Sequence, residues 1–86
     1  MEFEFQTIHR VCFSCTTNGD AADDYNDALV RLAKQFSTVY FNNDSRYMWK
    51  WCWIFECENR DTLNEILKAA TVLADMQGVV LTNELG

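Results

Sequence analysis

Residues 38–58, TVYFNNDSRYMWKWCWIFECE, decide how the rest of the chain is read. Thr38-Val39-Tyr40-Phe41 is short, β-branched and aromatic, and Asn42-Asn43-Asp44-Ser45 behind it has the chemistry of a turn. Arg46 to Glu58 then resumes as a strand, so the segment predicts a β-hairpin. In its second arm Tyr47, Trp49, Trp51, Trp53 and Phe55 share odd parity, while Met48, Lys50, Cys52, Ile54 and Glu56 share even parity. Side chains alternate across a strand, so one face of the hairpin carries nearly all the aromatic mass and needs a layer to cover it.

Two amphipathic segments flank the hairpin and can supply that layer. Upstream, Tyr25, Ala28, Leu29, Leu32, Ala33 and Phe36 recur at helical spacing, predicting a helix from Asp20 to Phe36. Downstream, Leu63, Ile66, Leu67, Ala70, Leu73 and Ala74 do the same from Asp61 onward. Thr62 and Glu65 stand there in capping-box relation, and Gly78 suits the end of the helix. Outside the helices, Met1 to Thr16 alternates, with Phe3, Phe5, Thr7, His9, Val11 and Phe13 on one parity, and Val79 to Thr82 offers a last short strand. The order β-α-β-β-α-β predicts an α+β fold, a ferredoxin-like plait over residues 1–86 as a single domain. Its four-stranded antiparallel sheet would have the order 4-1-3-2, with both helices on one face. Small helix residues (Ala28, Ala33, Ala70, Ala74) would meet large sheet residues (Phe13, Trp51, Trp53, Phe55) and fill the layer. A first strand of up to 14 residues would outrun the helices, leaving some of Phe3, Phe5, Tyr47 and Trp49 overhanging.

Composition narrows the function classes. Thirteen Asp and Glu against seven Lys and Arg give a net charge of −6 in 86 residues, which repels phosphate backbones and anionic membranes alike. No apolar run approaches the roughly 18 residues of a membrane span, and the opening MEFEFQ lacks the basic-then-apolar order of a cleaved signal. The expectation is a cytoplasmic protein without direct nucleic-acid or membrane contact.

Four groups of residues invite a chemical reading. Cys12-Phe-Ser-Cys15, with Cys52 and Cys57, has the spacing of a zinc or redox pair, but an offset of three on a strand sends Cys12 and Cys15 to opposite faces. Thiols are expected, with no metal, no cofactor and no catalytic group; Cys12 and Cys52 would be diagonal neighbours on the even face. His9, the only histidine, sits on the apolar parity of its strand as a core or edge residue. Asp20, Asp23, Asp24 and Asp27 follow i, i+3, i+4, i+7 and line one helix face. They read either as a solvated face near the helix N-terminus or as carboxylates offered to a basic partner. The uncovered sheet face, with Ile8, Cys12, Met48 and Ile54 at its centre, is a candidate surface for a second copy or a foreign protein. It carries no aromatic platform of the kind that stacks RNA bases.

The element pattern, with the turn Thr17-Asn18-Gly19-Asp20 after the first strand, resembles ferredoxin-like modules, among them ligand-binding regulatory domains of the ACT type. That resemblance implies a small-ligand module, dimeric in habit. The residues themselves point first to a non-enzymatic interaction domain that binds and inhibits or regulates a larger basic partner, as compact phage-encoded inhibitors of host nucleases or defence complexes do. Asp20, Asp23, Asp24 and Asp27 are the expected contact row. An enzyme working through Cys12, Cys15 or His9 ranks last, since no activating neighbour is visible in the sequence.

Overall fold

A computed structural model describes residues 2–3, 7–15, 19–47 and 50–84, of which 44–47 and 50 are described for the backbone alone. The element order is β1 (His9–Cys15), α1 (Asp20–Lys34), β2 (Tyr40–Tyr47), β3 (Lys50–Cys57), α2 (Arg60–Gln77) and β4 (Thr82–Asn83). The strands form one antiparallel sheet in the order β2-β3-β1-β4, the expected plait. In the central pair Val11 opposes Phe55, Phe13 opposes Trp53 and Cys15 opposes Trp51. Odd parity on both strands therefore points to one side, and there Phe13, Cys15, Trp53 and Phe55 are buried together with Ala22, Tyr25 and Leu29 of α1 and Leu63, Ile66 and Ala70 of α2. Both helices cover that face, as the hairpin's aromatic parity requires.

One buried indole organises the layer. Trp53 is fully enclosed, and its Nε1–H donates to Asn26 Oδ1 on α1 at 3.0 Å. The same oxygen accepts from the Asn43 amide of β2 at 2.9 Å. The Tyr25 ring meets Trp53 edge-on with centroids 5.1 Å apart, and the Tyr25 hydroxyl donates to the Ala70 carbonyl of α2 at 3.0 Å. Three elements thus converge on a single side chain whose polar atom has a partner, and Tyr25 carries the contact on to α2, as deep burial of tryptophan and tyrosine demands.

The element boundaries differ from the sequence expectation in several places, the larger of them in β1, β2, the α2 cap and β4. Strand β1 begins at His9 instead of near Met1, because His9 pairs with Cys57 and β3 ends there. Phe3 lies well outside it and is exposed, while Phe5, Trp49 and the Tyr47 side chain lie outside what is described. Asn42-Asn43-Asp44-Ser45 is strand, not turn: Asn42 pairs with Ile54, Asn43 with Trp53 and Asp44 with Cys52. Arg46 and Tyr47 accordingly belong to β2, after a register shift between Asp44 and Tyr47. Pairing with β3 overrides the poor strand propensity of these residues.

Helix α2 is capped by Asn59, whose side chain accepts from the N–H groups of Asp61 at 2.9 Å and Thr62 at 3.2 Å, so the Thr62/Glu65 box is not the cap. Gly78 does end α2, at φ 71°, and the Val79 N–H returns to the Ala74 carbonyl at 2.9 Å. That bond commits Val79 to the helix cap, and β4 shrinks to Thr82–Asn83.

Two expectations follow for stability. Replacing Asn26 with Ala leaves the Trp53 indole and the Asn43 amide without their acceptor, and a loss of about 1–3 kcal/mol in urea unfolding is expected. Burial, and secondarily the neighbouring Cys15, raises the Tyr25 phenol above its ordinary value of 10.0. The folded state then holds this proton where the unfolded chain releases it. Stability should be full below pH 10 and fall as pH rises beyond it, and Tyr25→Phe should flatten that alkaline fall while costing about 1 kcal/mol at neutral pH. An alkaline slope identical in both proteins would remove Tyr25 as its source.

Candidate interaction surfaces

With the core on one side of the sheet, the described residues leave the outer face of α1, the open sheet face and the outer seam between the helices turned to solvent. On α1 the buried residues Ala22, Tyr25, Leu29 and Leu32 turn inward. Asp20, Asp23, Asp24 and Asp27 are all exposed on the opposite side, where the i, i+3, i+4, i+7 spacing puts them. Gly19 enters the helix at φ 88°, a left-handed conformation in which glycine avoids a steric cost, and its carbonyl accepts the Asp23 N–H at 3.2 Å. The same face continues toward the C-terminus of α1 with Arg31 and Lys34, so it changes sign along its length, in the order the helix dipole favours.

The open sheet face is mixed. Cys12 and Ile54 are direct cross-strand partners and both are half-buried, so the structure brings these two together. Ile8 precedes β1 and is exposed. Between it and the Cys12–Ile54 pair stands the Arg10–Glu56 ion pair, at 3.2 Å. Met48 lies outside the described residues. Beyond Cys12, Ser14 is buried because Glu84 lies over it, accepting the Ser14 hydroxyl through its carboxylate, while the Glu84 N–H donates to the Cys12 carbonyl at 2.9 Å. Tyr40, opposite Glu56, adds an exposed aromatic ring that parity along the first and third strands does not reveal. Polar groups therefore divide the described apolar residues of this face into separate spots.

All four cysteines are thiols. Cys15 and Cys57 are buried on the core side, while Cys12 and Cys52 stand half-buried and diagonal to each other on the open face, as their parity implies. Among the described residues no three of His, Cys, Asp and Glu come together in a way that could hold a metal ion. His9 is half-buried opposite Cys57. Among the described residues no helix is long and apolar enough to cross a membrane.

The seam between the helices has no counterpart in the sequence reading. Where α1 and α2 lie side by side, an open groove of about 580 Å³ has a floor of Ala28, Leu32, Ala69, Val72 and Leu73 and a polar rim that includes Arg31 and Lys68. A second hollow of about 630 Å³ adjoins it across Lys68 and Val72. Val72 is 57% exposed and Met76, one turn on, is 75% exposed.

The architecture is a four-stranded antiparallel α+β plait, and solved structures share it. A C-terminal segment of the alpha subunit of aIF2 from Pyrococcus abyssi superimposes with a TM-score of 0.54 at 12% identity, over 90% of this chain and 48% of that one. A de novo designed protein, Ferredog-Diesel, gives a TM-score of 0.54 at 11% identity, over 98% of this chain and 90% of that one. At such identities the likeness is one of fold. The chain spans about half the length of the aIF2 segment. No protein-family model matches the chain, and no curated protein matches it in sequence.

Thiol accessibility provides a direct check on these faces. In the native protein Cys12 and Cys52 should react with a water-soluble thiol reagent well before Cys15 and Cys57, which should react only on unfolding. Mass mapping of the labelled peptides after a short exposure would show this order, and early labelling of Cys15 or Cys57 would contradict the assignment of faces.

Proposed function

We propose that this chain is a small non-enzymatic interaction domain whose acidic helix face binds a larger basic protein that itself handles nucleic acid, blocking or regulating it in the cytoplasm in the manner of phage-type inhibitors of host nucleases or defence complexes. The observation that carries the reading is the row Asp20, Asp23, Asp24 and Asp27. Four carboxylates stand exposed on one side of the first two turns of a helix that is fixed to the core by Tyr25 and Asn26. A row of like charge at helical spacing on an already folded helix presents a field to a basic groove with no backbone left to order on binding, and complementary charge accelerates encounter. The net charge of −6 adds long-range steering of the same sign.

The ACT-type alternative rests on the turn after the first strand. In that turn Gly19 has the positive φ with which the chain enters α1, so its presence is explained by the helix start without a ligand. A metabolite that raised the thermal midpoint of the purified protein would favour this alternative.

The test is capture from lysate with the purified protein at low and high salt, followed by the variant Asp23→Lys/Asp24→Lys. A single basic partner should be retained at low salt and released at high salt. The double reversal should weaken its capture by more than about tenfold, with circular dichroism close to that of the parent, since both side chains are exposed. Undiminished capture by the folded variant would remove the aspartate row from the interface.

A further inference from the structure

The groove between α1 and α2 has a feature that the partner reading leaves unused: cations beside exposed apolar side chains, in a chain whose net charge is −6. Arg31 and Lys68 both line it, from different helices, over a floor that includes Ala28 and Val72. Such a surface matches a helix that carries carboxylates beside small or apolar residues. The outer face of α1 is such a helix. Asp24 and Arg31 are seven residues apart, so they project within about 20° of each other, separated along the axis by about 10 Å. Ala28 lies between them and lines the groove.

We propose that the groove is filled by α1 of a second copy of the chain, in a two-fold dimer that packs helix layer on helix layer. An antiparallel crossing of α1 on α1 centred between Asp27 and Ala28 sets Asp24 of each copy opposite Arg31 of the other, because both positions lie the same distance from the centre. Lys68 provides a second cation on the same rim. The small Ala28 stands at the crossing, where the two backbones come closest, and Val72, 57% exposed in the single chain, lies beside the incoming helix. A two-fold interface must be self-complementary, and a stripe that is acidic in its first half and basic in its second meets that requirement only when two copies run antiparallel. Among the described residues of the open sheet face, Arg10 and Glu56 are already joined to each other within one copy. Such a dimer requires no basic partner, and its test reads only the mass of the purified protein.

The experiment is sedimentation equilibrium over a concentration series for the parent, for Asp24→Arg, for Arg31→Asp and for an equimolar mixture of the two variants. The parent should show a reversible monomer–dimer equilibrium. Each single variant places like charges in opposition twice and should dimerise at least about tenfold more weakly. The mixture should regain the parental dimer. In it the guanidinium introduced at position 24 of one variant meets the carboxylate introduced at position 31 of the other, while the second contact keeps its natural Asp24–Arg31 pair. Unchanged circular dichroism of each variant would exclude misfolding as the cause of dissociation. A parent that stays monomeric throughout, single variants that dimerise as the parent does, or a mixture that stays monomeric would each overturn the proposal.

Discussion

The fold depends on giving a buried tryptophan a hydrogen-bond partner. Among the described residues Trp53 is the largest fully buried side chain, but its indole N–H cannot be left dry. Asn26 Oδ1 accepts that proton and, with its other lone pair, the amide of Asn43, so a single oxygen joins α1 to a central strand and to the edge strand β2. Tyr25, next in sequence to Asn26, packs against the same indole in a T-shaped contact and fastens α2 through the Ala70 carbonyl. Adjacent residues on a helix point about 100° apart, which lets Tyr25 reach inward to α2 while Asn26 reaches sideways to the sheet. The arrangement fixes how α1 is rotated about its axis. That rotation in turn settles which α1 residues face solvent.

The surface chemistry is therefore a consequence of the core. Once Tyr25, Leu29 and Leu32 are turned inward, Asp20, Asp23, Asp24 and Asp27 have no direction left but outward, with Arg31 and Lys34 following on the same side. The dipole of α1 accounts for the order of signs, acidic first and basic last. It does not account for the apolar floor beside Arg31, which arises because Ala28 and Ala69 are too small to close the seam between the helices. The α1 face and the groove are thus neighbouring products of one packing arrangement.

Much of this is legible in the sequence, and the misses share a cause. Period-two parity in Trp51, Trp53 and Phe55 and the helical spacing of Tyr25, Leu29 and Leu32 are local signals that yield the element order and the buried face, and the right-handed crossover rule then yields the strand order. Gly78 is readable because a left-handed helix end favours glycine. The start of α2 is ambiguous because Asn59 and Thr62 are both good caps, and only the backbone decides which one stands before the first turn. The length of β2 is hidden because Asn42, Asn43 and Asp44 are turn formers by propensity and strand residues by pairing. The candidate row on α1 needs only spacing. The groove needs the relative placement of two helices distant in sequence, which neither helix encodes alone, and Tyr40 needs the register of an edge strand.

Because one helix face serves both readings of the surface, they are coupled. A basic partner seated on Asp20, Asp23, Asp24 and Asp27 would cover the side chain that a second copy needs at position 24, so the two associations would exclude each other. Mass action then sets the outcome: at low concentration the monomer presents its whole acidic row, and at high concentration self-association withdraws it. Linkage makes the effect reciprocal, since whatever binds the row must dissociate the pair by the same factor by which pairing weakens its binding. A sign-changing helix would allow one stripe to pair both with itself and with a partner of opposite charge. The balance between them would be set by the few residues where the stripe meets the groove, chiefly Asp24, Arg31 and Lys68.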